Sequence, residues 1–263
     1  MFENREHIRD SFAHRRFFQA VEETTVRADR SRPVDISLIL QYFRNLGSND
    51  TMALMDLTTK LCWLLGVCGF LRPSDIERID LRECDWTSQT DRLSLLIIDP
   101  KEKRLGQRIQ KSVQIRAHPD PLLCPVAAFR TYYQRHALCP CLHPHPALSH
   151  VQLHYLIRDV RNCHRPIYAQ RIGNLINSIM TKLPASRRSG RLKARALGSS
   201  RALLAGASVD DVVTHGGWAS RSIFNTFYRL PVESSSNFTS LALSEQDSSV
   251  ALESQSMDPL NEV

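Results

Sequence analysis

The chain has 263 residues, with 34 Lys and Arg against 27 Asp and Glu, a formal charge of +7 and a pI near 9.2. That length suits one ordinary domain with extensions and a real buried core. The longest apolar run, Leu61 to Leu71, is far too short to span a bilayer, and the charged N-terminus has no signal-peptide core. Seven cysteines, an odd number without framework spacing, argue for a reducing compartment rather than a disulfide scaffold, so a soluble intracellular protein is expected.

The charge is unevenly placed. From Leu230 onward there is no Lys or Arg, but there are six acids: Glu233, Glu245, Asp247, Glu253, Asp258 and Glu262. A basic body with an acidic tail fits a domain that binds a polyanion.

Residues 1–32 are polar and charged, without an apolar face wide enough to pack alone, and Pro33 marks a boundary. VDISLILQYFRNLG predicts a helix closed by Gly47. A second helix is predicted at roughly 50–68, with Leu54, Leu57, Leu61, Leu64, Leu65 and Cys68 on one stripe. Pro73 opens a short helix through Ile79. LSLLIID (93–99) reads as a buried strand, and IQKSVQI (109–115) alternates, with Ile109, Val113 and Ile115 on one side. The basic turn PKEKRLGQR between them makes the pair a hairpin, and a shorter strand at 79–84 would complete a small antiparallel three-stranded sheet. Helices resume from Leu122, where Val126, Phe129 and Tyr133 share its face. Over 169–183, Ile172, Leu175, Ile176, Ile179, Met180 and Leu183 keep the helical period. The Pro/His/Cys-rich stretch 137–152 between them reads as an inserted loop. In its CPCLHPHP, Cys139, Cys141, His143 and His145 are competent zinc ligands, with His136, His150 and His154 near. Their spacing is not a recognised zinc pattern, and no metal is assigned. Ser208 with Asp211 forms a capping box for a further short helix, and residues 231–263 are a Ser-rich acidic tail.

The chemistry concentrates in LKARALGSSRALLAGASVDDVVTHGGWASRSIFNTFYR. Arg195 is followed 23 residues later by Trp218, and ten after that by Tyr228, with Gly206 and Gly216-Gly217 between. Such a pattern is hard to explain as packing and easy to explain as a phosphate site with its nucleophile. Breaking a phosphodiester without metal needs a nucleophile, cations for the non-bridging oxygens and an acid for the leaving oxygen.

The stretch resembles the end of the catalytic domain of tyrosine recombinases, the phage-integrase family, and the resemblance covers roughly residues 33–230. It implies an α+β, mainly α-helical, integrase-like fold. Arg72, in LLGVCGFLRPSDIERIDL, would be the first catalytic arginine, with Asp75 three positions on. A guanidinium grips two phosphate oxygens at once. The lysine falls on the hairpin, where PKEKR offers Lys101 and Lys103, while Lys111 lies on the otherwise apolar face of the next strand. Lys103, beside Arg104, best matches the family's turn and would be the general acid. Lys101, Arg104 and Lys193 would contact the DNA. Arg195, eleven residues before Gly206, would be the second arginine. Trp218 takes the His/Trp position as a donor, and Tyr228 is the nucleophile, which needs nearby cations before it attacks well. HGGWAS with FYR, and PKEKR with CPVAAF, look most like recombinases of eukaryotic mobile elements, which implies a nuclear protein.

One position departs from the pattern. Leu192 stands where the family's His-x-x-Arg has histidine, and leucine can neither accept the tyrosine proton nor donate to phosphate. Lys193 and His215 are the neighbours that could compensate. Two readings follow: cutting and rejoining of double-stranded DNA through a 3′-phosphotyrosine, or a recombinase-derived DNA-binding protein without catalysis. The first implies protomers assembled on DNA and no ATP, metal or nucleotide cofactor. A third reading is a metal-bound interaction module built on CPCLHPHP.

Overall fold

The computed structural model describes residues 34–86, 91–104, 107–183 and 192–230, together with five positions between 12 and 20. For residues 100–104 it describes the main chain alone. Apart from those five positions, the N-terminal segment 1–32 and the acidic tail 231–263 lie outside the described residues.

Helix α1 (Ser37–Asn45) turns Ile39 and Phe43 inward and ends at Gly47, whose φ of 76° is the left-handed conformation glycine adopts without strain. Helix α2 (Leu54–Cys68) is the axis of the molecule. Every residue from Leu57 to Gly66 is buried, more than the predicted stripe, because later helices pack around it on several sides. Its polar members are satisfied inside: Thr58 Oγ1 donates to the Leu54 carbonyl (2.7 Å), and Lys60 Nζ to Asn49 Oδ1 (2.7 Å). Helix α3 (Pro73–Glu77) follows directly, with Pro73 at its first turn.

Strands β1 (Arg92–Arg104) and β2 (Gln107–Arg116) form the expected antiparallel hairpin, with Leu93 opposite Ile115, Leu95 opposite Val113 and Ile97 opposite Lys111. The predicted third strand at 79–84 does not form. Ile79 and Asp80 make only isolated bridges, to Ile97 and Tyr155. The Asp80 carboxylate then accepts the Arg82 backbone N–H (3.1 Å) and folds Leu81–Glu83 into a 3-10 turn. Among the described residues there are three two-stranded sheets, not one of three strands.

The other two sheets correct the reading of 137–152 as loop. Helix α4 (Pro125–Tyr132) runs on through a π turn (Tyr133–Ala137) into two hairpins, β3 (Leu142–His145) with β4 (Leu148–His154), and β5 (Arg158–Asp159) with β6 (Asn162–Pro166). Pro144 and Pro166 are tolerated because each strand of a two-stranded ribbon is an edge. Cys141, Leu153 and Tyr155 close beneath them as a small separate cluster.

Helix α5 (Ala169–Met180) packs on α2 with its predicted apolar face, and Trp63 Nε1 of α2 donates to Met180 Sδ (3.3 Å). Helix α6 (Ala194–Leu204) crosses α2 at Gly198, where a Cβ would lie 2.0 Å from the Val67 carbonyl oxygen. Helix α7 (Val209–Gly216) opens with the predicted cap, Ser208 Oγ accepting the Asp211 backbone N–H at 3.1 Å, and α8 (Arg221–Phe227) closes the described fold. Among the described residues no helix is long and apolar enough to cross a membrane.

Candidate active site

Four elements converge where α2 leaves the core. Phe70, between α2 and α3, has φ 50°, one of two non-glycine residues with positive φ among those described. This costly kink lets the chain reverse and sets Arg72 just ahead of α3. Asp75, fully buried in α3, accepts the Arg72 backbone N–H through Oδ2 (2.9 Å). The same oxygen lies 3.8 Å from Nη1 of Arg195. One carboxylate therefore fixes the main chain of the first arginine and offsets the buried charge of the second.

The side chains meet at Tyr228. Arg72 Nη2 donates to its phenol oxygen at 2.7 Å. The Arg195 guanidinium, only 2% exposed, lies 4.8 Å from the tyrosine ring and 4.3 Å from the Trp218 ring. Trp218 and Tyr228 are themselves 5.0 Å apart, centre to centre. Phe224, Val212 and Phe70 complete an apolar cluster under them, separate from the main core, and the Tyr228 N–H bonds the Phe224 carbonyl at 2.9 Å. The Phe cluster thus anchors the tyrosine at the end of α8. Trp218 is 4% exposed, and its Nε1 finds no acceptor among the described residues. A buried donor without an acceptor costs stability unless a ligand supplies one.

The end of α7 ties the second arginine down. Arg195 Nη2 donates to the Gly216 carbonyl (2.7 Å), and Lys111 Nζ, from β2, donates to the same oxygen (2.8 Å). The Trp218 ring lies flat on Gly216, where a Cβ would come within 1.8 Å of it. Gly217 makes the left-handed turn into the tryptophan at φ 66°. A cleft of about 440 Å³ opens beside the pair, lined among others by Arg72, Ser74, Gln170, Asn177, Lys193 and Tyr228.

The structure therefore brings Arg72, Arg195, Trp218 and Tyr228 together, with Lys193 at the cleft. Lys101, Lys103 and Arg104 are placed by their main chain alone. They sit toward the hairpin end, with Lys103 paired to Arg108 and Arg104 to Gln107 through the main chain, and their side chains lie outside the described residues. The lysine standing beside Arg195 is Lys111. Its signal in the sequence was a charge on the inward face of an alternating strand, where burial reads exposed-buried with Lys111, Val113 and Ile115 inside.

Of the two compensating neighbours, His215 points elsewhere. Its Nε2 lies 2.8 Å from the Cys68 carbonyl, and its ring meets Phe70 edge-on at 4.7 Å. Burial pushes its pKa below the usual histidine value, and Lys111 adds to that, while the carbonyl opposes both. Leu192 packs against the main core.

No family model matches the chain, and no curated protein does. Solved structures do. The Tn1549 transposon integrase in complex with circular intermediate DNA matches with a TM-score of 0.52 at 11% identity, over 86% of this chain and 75% of that one. A variant of the same integrase, also with a circular intermediate DNA, gives 0.50 at 11% identity, over 86% and 74%. XerA recombinase gives 0.48 at 12% identity, over 83% and 69%. The fold is that of a tyrosine recombinase catalytic domain.

Proposed function

We propose that the chain cuts and rejoins double-stranded DNA through Tyr228, as a site-specific recombinase or integrase. The observation that carries this reading is the convergence of two guanidinium groups and a buried indole N–H on one phenol, beside an open cleft. Arg72 and Arg195 hold the two non-bridging oxygens of the scissile phosphate, and Trp218 Nε1 donates to one of them. Tyr228 gives up its phenolic proton to solvent in the cleft and its oxygen attacks phosphorus; the bond to the 5′ oxygen breaks, and that oxygen takes a proton. A 3′-phosphotyrosine and a free 5′ hydroxyl result, and the reverse attack by a 5′ hydroxyl rejoins the strand. The proton comes from a lysine of the hairpin. Lys103 is the residue the resemblance selects, and Lys111 is the one whose ammonium shares an acceptor with Arg195, so both enter the test. Lys101, Arg104 and Lys193 bind the flanking backbone, and protomers assemble on the DNA.

A second reading has one observation in its favour. Leu192, at the histidine position, packs against the core, and His215 is held by Cys68. A descendant that binds DNA without cutting it would look the same.

Incubation with supercoiled plasmid, followed by denaturation, separates the two. An adduct lost in Tyr228→Phe, and lost in one of Lys103→Ala and Lys111→Ala, supports the proposal. An adduct that appears only in Leu192→His marks a site disabled by one residue. Salt-sensitive DNA binding with no adduct from any of these proteins establishes the non-catalytic reading.

A further inference from the structure

The two hairpins between α4 and α5 gather three soft donors that the proposed reaction does not use. Cys139 lies between the π turn and β3, Cys163 and His164 lie in β6, and their two sulfurs and one imidazole nitrogen fall within 4.8 Å of one another. The two cysteines are joined as a disulfide in the structure. We propose that, once a phosphine or dithiol has supplied the two electrons and two protons that open this bond, Cys139, Cys163 and His164 bind one zinc ion. That ion staples the start of the inserted hairpins to their end.

Three features support a built site. His164 Nδ1 lies 2.8 Å from the Pro140 carbonyl oxygen. A carbonyl only accepts, so Nδ1 carries the ring proton and Nε2 keeps its lone pair. Metal-binding histidines are usually oriented in this way, with the other nitrogen donating to a carbonyl or carboxylate. Next, Arg158 is fully buried and fixes both cysteines. Its Nη1 donates to the carbonyl of Cys139, to that of Cys163 (3.4 Å) and to Cys139 Sγ (3.3 Å), while Nε donates to the Tyr155 carbonyl (3.0 Å). Finally, two thiolates and an imidazole select zinc over the hard cations, which prefer oxygen.

On binding, each thiol gives up its proton to solvent and forms a sulfur–zinc bond, and His164 Nε2 contributes its lone pair. The fourth position of the tetrahedron falls to water, since His164 is exposed. Cys141 is not a ligand. It is buried against Leu153 and Tyr155. The consequence reaches the cleft, because β6 leads into α5, whose Gln170 and Asn177 line it.

The test uses the full chain, reduced with a phosphine, stripped of metal and titrated with Co²⁺. The expected result is one equivalent bound, with sulfur-to-cobalt charge-transfer absorption and tetrahedral visible bands, both erased by zinc. Cys139→Ser and Cys163→Ser should lose the charge-transfer band, and Cys141→Ser should keep it. His164→Ala, at an exposed position, should weaken cobalt binding by more than the factor of about 10 that losing a supporting partner costs. Seven titratable thiols without a cobalt spectrum would overturn the proposal. So would a full spectrum in Cys163→Ser.

Discussion

Gly198→Ala tests how the second arginine is held. A methyl group there would sit 2.0 Å from the Val67 carbonyl oxygen and 2.8 Å from its carbon, both main-chain atoms of a helix packed on several sides. Reaching ordinary contact, roughly 3.4 Å, means moving α6 away from α2 by about 1.4 Å. Overpacking of a dense core costs about 1–3 kcal/mol, and the better helix propensity of alanine returns about 1. Because the clash is with main-chain atoms, the cost falls at the upper end, and a net loss of about 2 kcal/mol is expected in urea unfolding. Arg195 lies one turn earlier on the same helix, so the shift also pulls its guanidinium from the Gly216 carbonyl and the Tyr228 ring. A displacement of about 1 Å at a reacting geometry can cost about 100-fold in rate, so adduct formation should fall further than stability. Gly173→Ala is the control. Its methyl would meet Pro73 Cγ at 3.6 Å, ordinary contact, and should stabilise α5 by up to about 1 kcal/mol. If Gly198→Ala unfolds at the same urea concentration as the native chain, the α2–α6 crossing is not as tight as argued.

Arg195→Lys should lower adduct formation by about 100-fold or more, because an ammonium cannot hold the Gly216 carbonyl, Asp75 and phosphate together; rates within threefold of native would count against its role. Trp218→Phe keeps the ring contact but removes the buried N–H, so the rate should fall about 10–100-fold while the unfolding midpoint changes little. An unchanged rate would reduce the tryptophan to packing. Lys60, buried beside Asn49, is held by desolvation at about 8, well below its ordinary 10.5. The unfolded chain then binds the extra proton between those values, so the native state gains stability as pH rises through them, by about 3 kcal/mol in all. Burial pushes the thiols of Cys62, Cys68 and Cys84 up to about 12, which works the opposite way above about pH 9. The lysine is therefore read from the difference. The advantage of Lys60→Met over the native chain in urea unfolding should shrink by about 3 kcal/mol between about pH 7.5 and 10.5, and a constant difference would contradict the assignment.

The elements that position the site were largely legible in the sequence. Helices α2, α5 and α7 and the β1–β2 hairpin follow from apolar periodicity, a Ser-x-x-Asp cap and a basic Gly turn. Arg195, Trp218 and Tyr228 were readable because α6, α7 and α8 are short and joined by tight turns, so sequence spacing translates into spatial spacing. Arg72 needed the resemblance as well, since nothing local shows that Phe70 kinks the chain toward Tyr228. The strand at 79–84 failed because one side chain, Asp80, captured the Arg82 N–H and outcompeted a ladder. The hairpins at 142–166 were hidden by prolines, which usually signal loops, and by burial carried on only a few residues such as Leu153 and Tyr155. Cys163 and His164 were missed as partners of Cys139 because 24 residues separate the cysteines and only the paired strands close that gap.

As the proposed nucleophile, Tyr228 should become covalently joined to DNA. The direct measurement is mass spectrometry of the trapped adduct after proteolysis and nuclease digestion. A single modified peptide is expected, carrying Tyr228 esterified to a 3′-phosphate, with a free 5′ hydroxyl on the downstream segment of the same cut strand. Linkage to another residue, a bond to the 5′ end, or unmodified Tyr228 in protein that still binds DNA would contradict it.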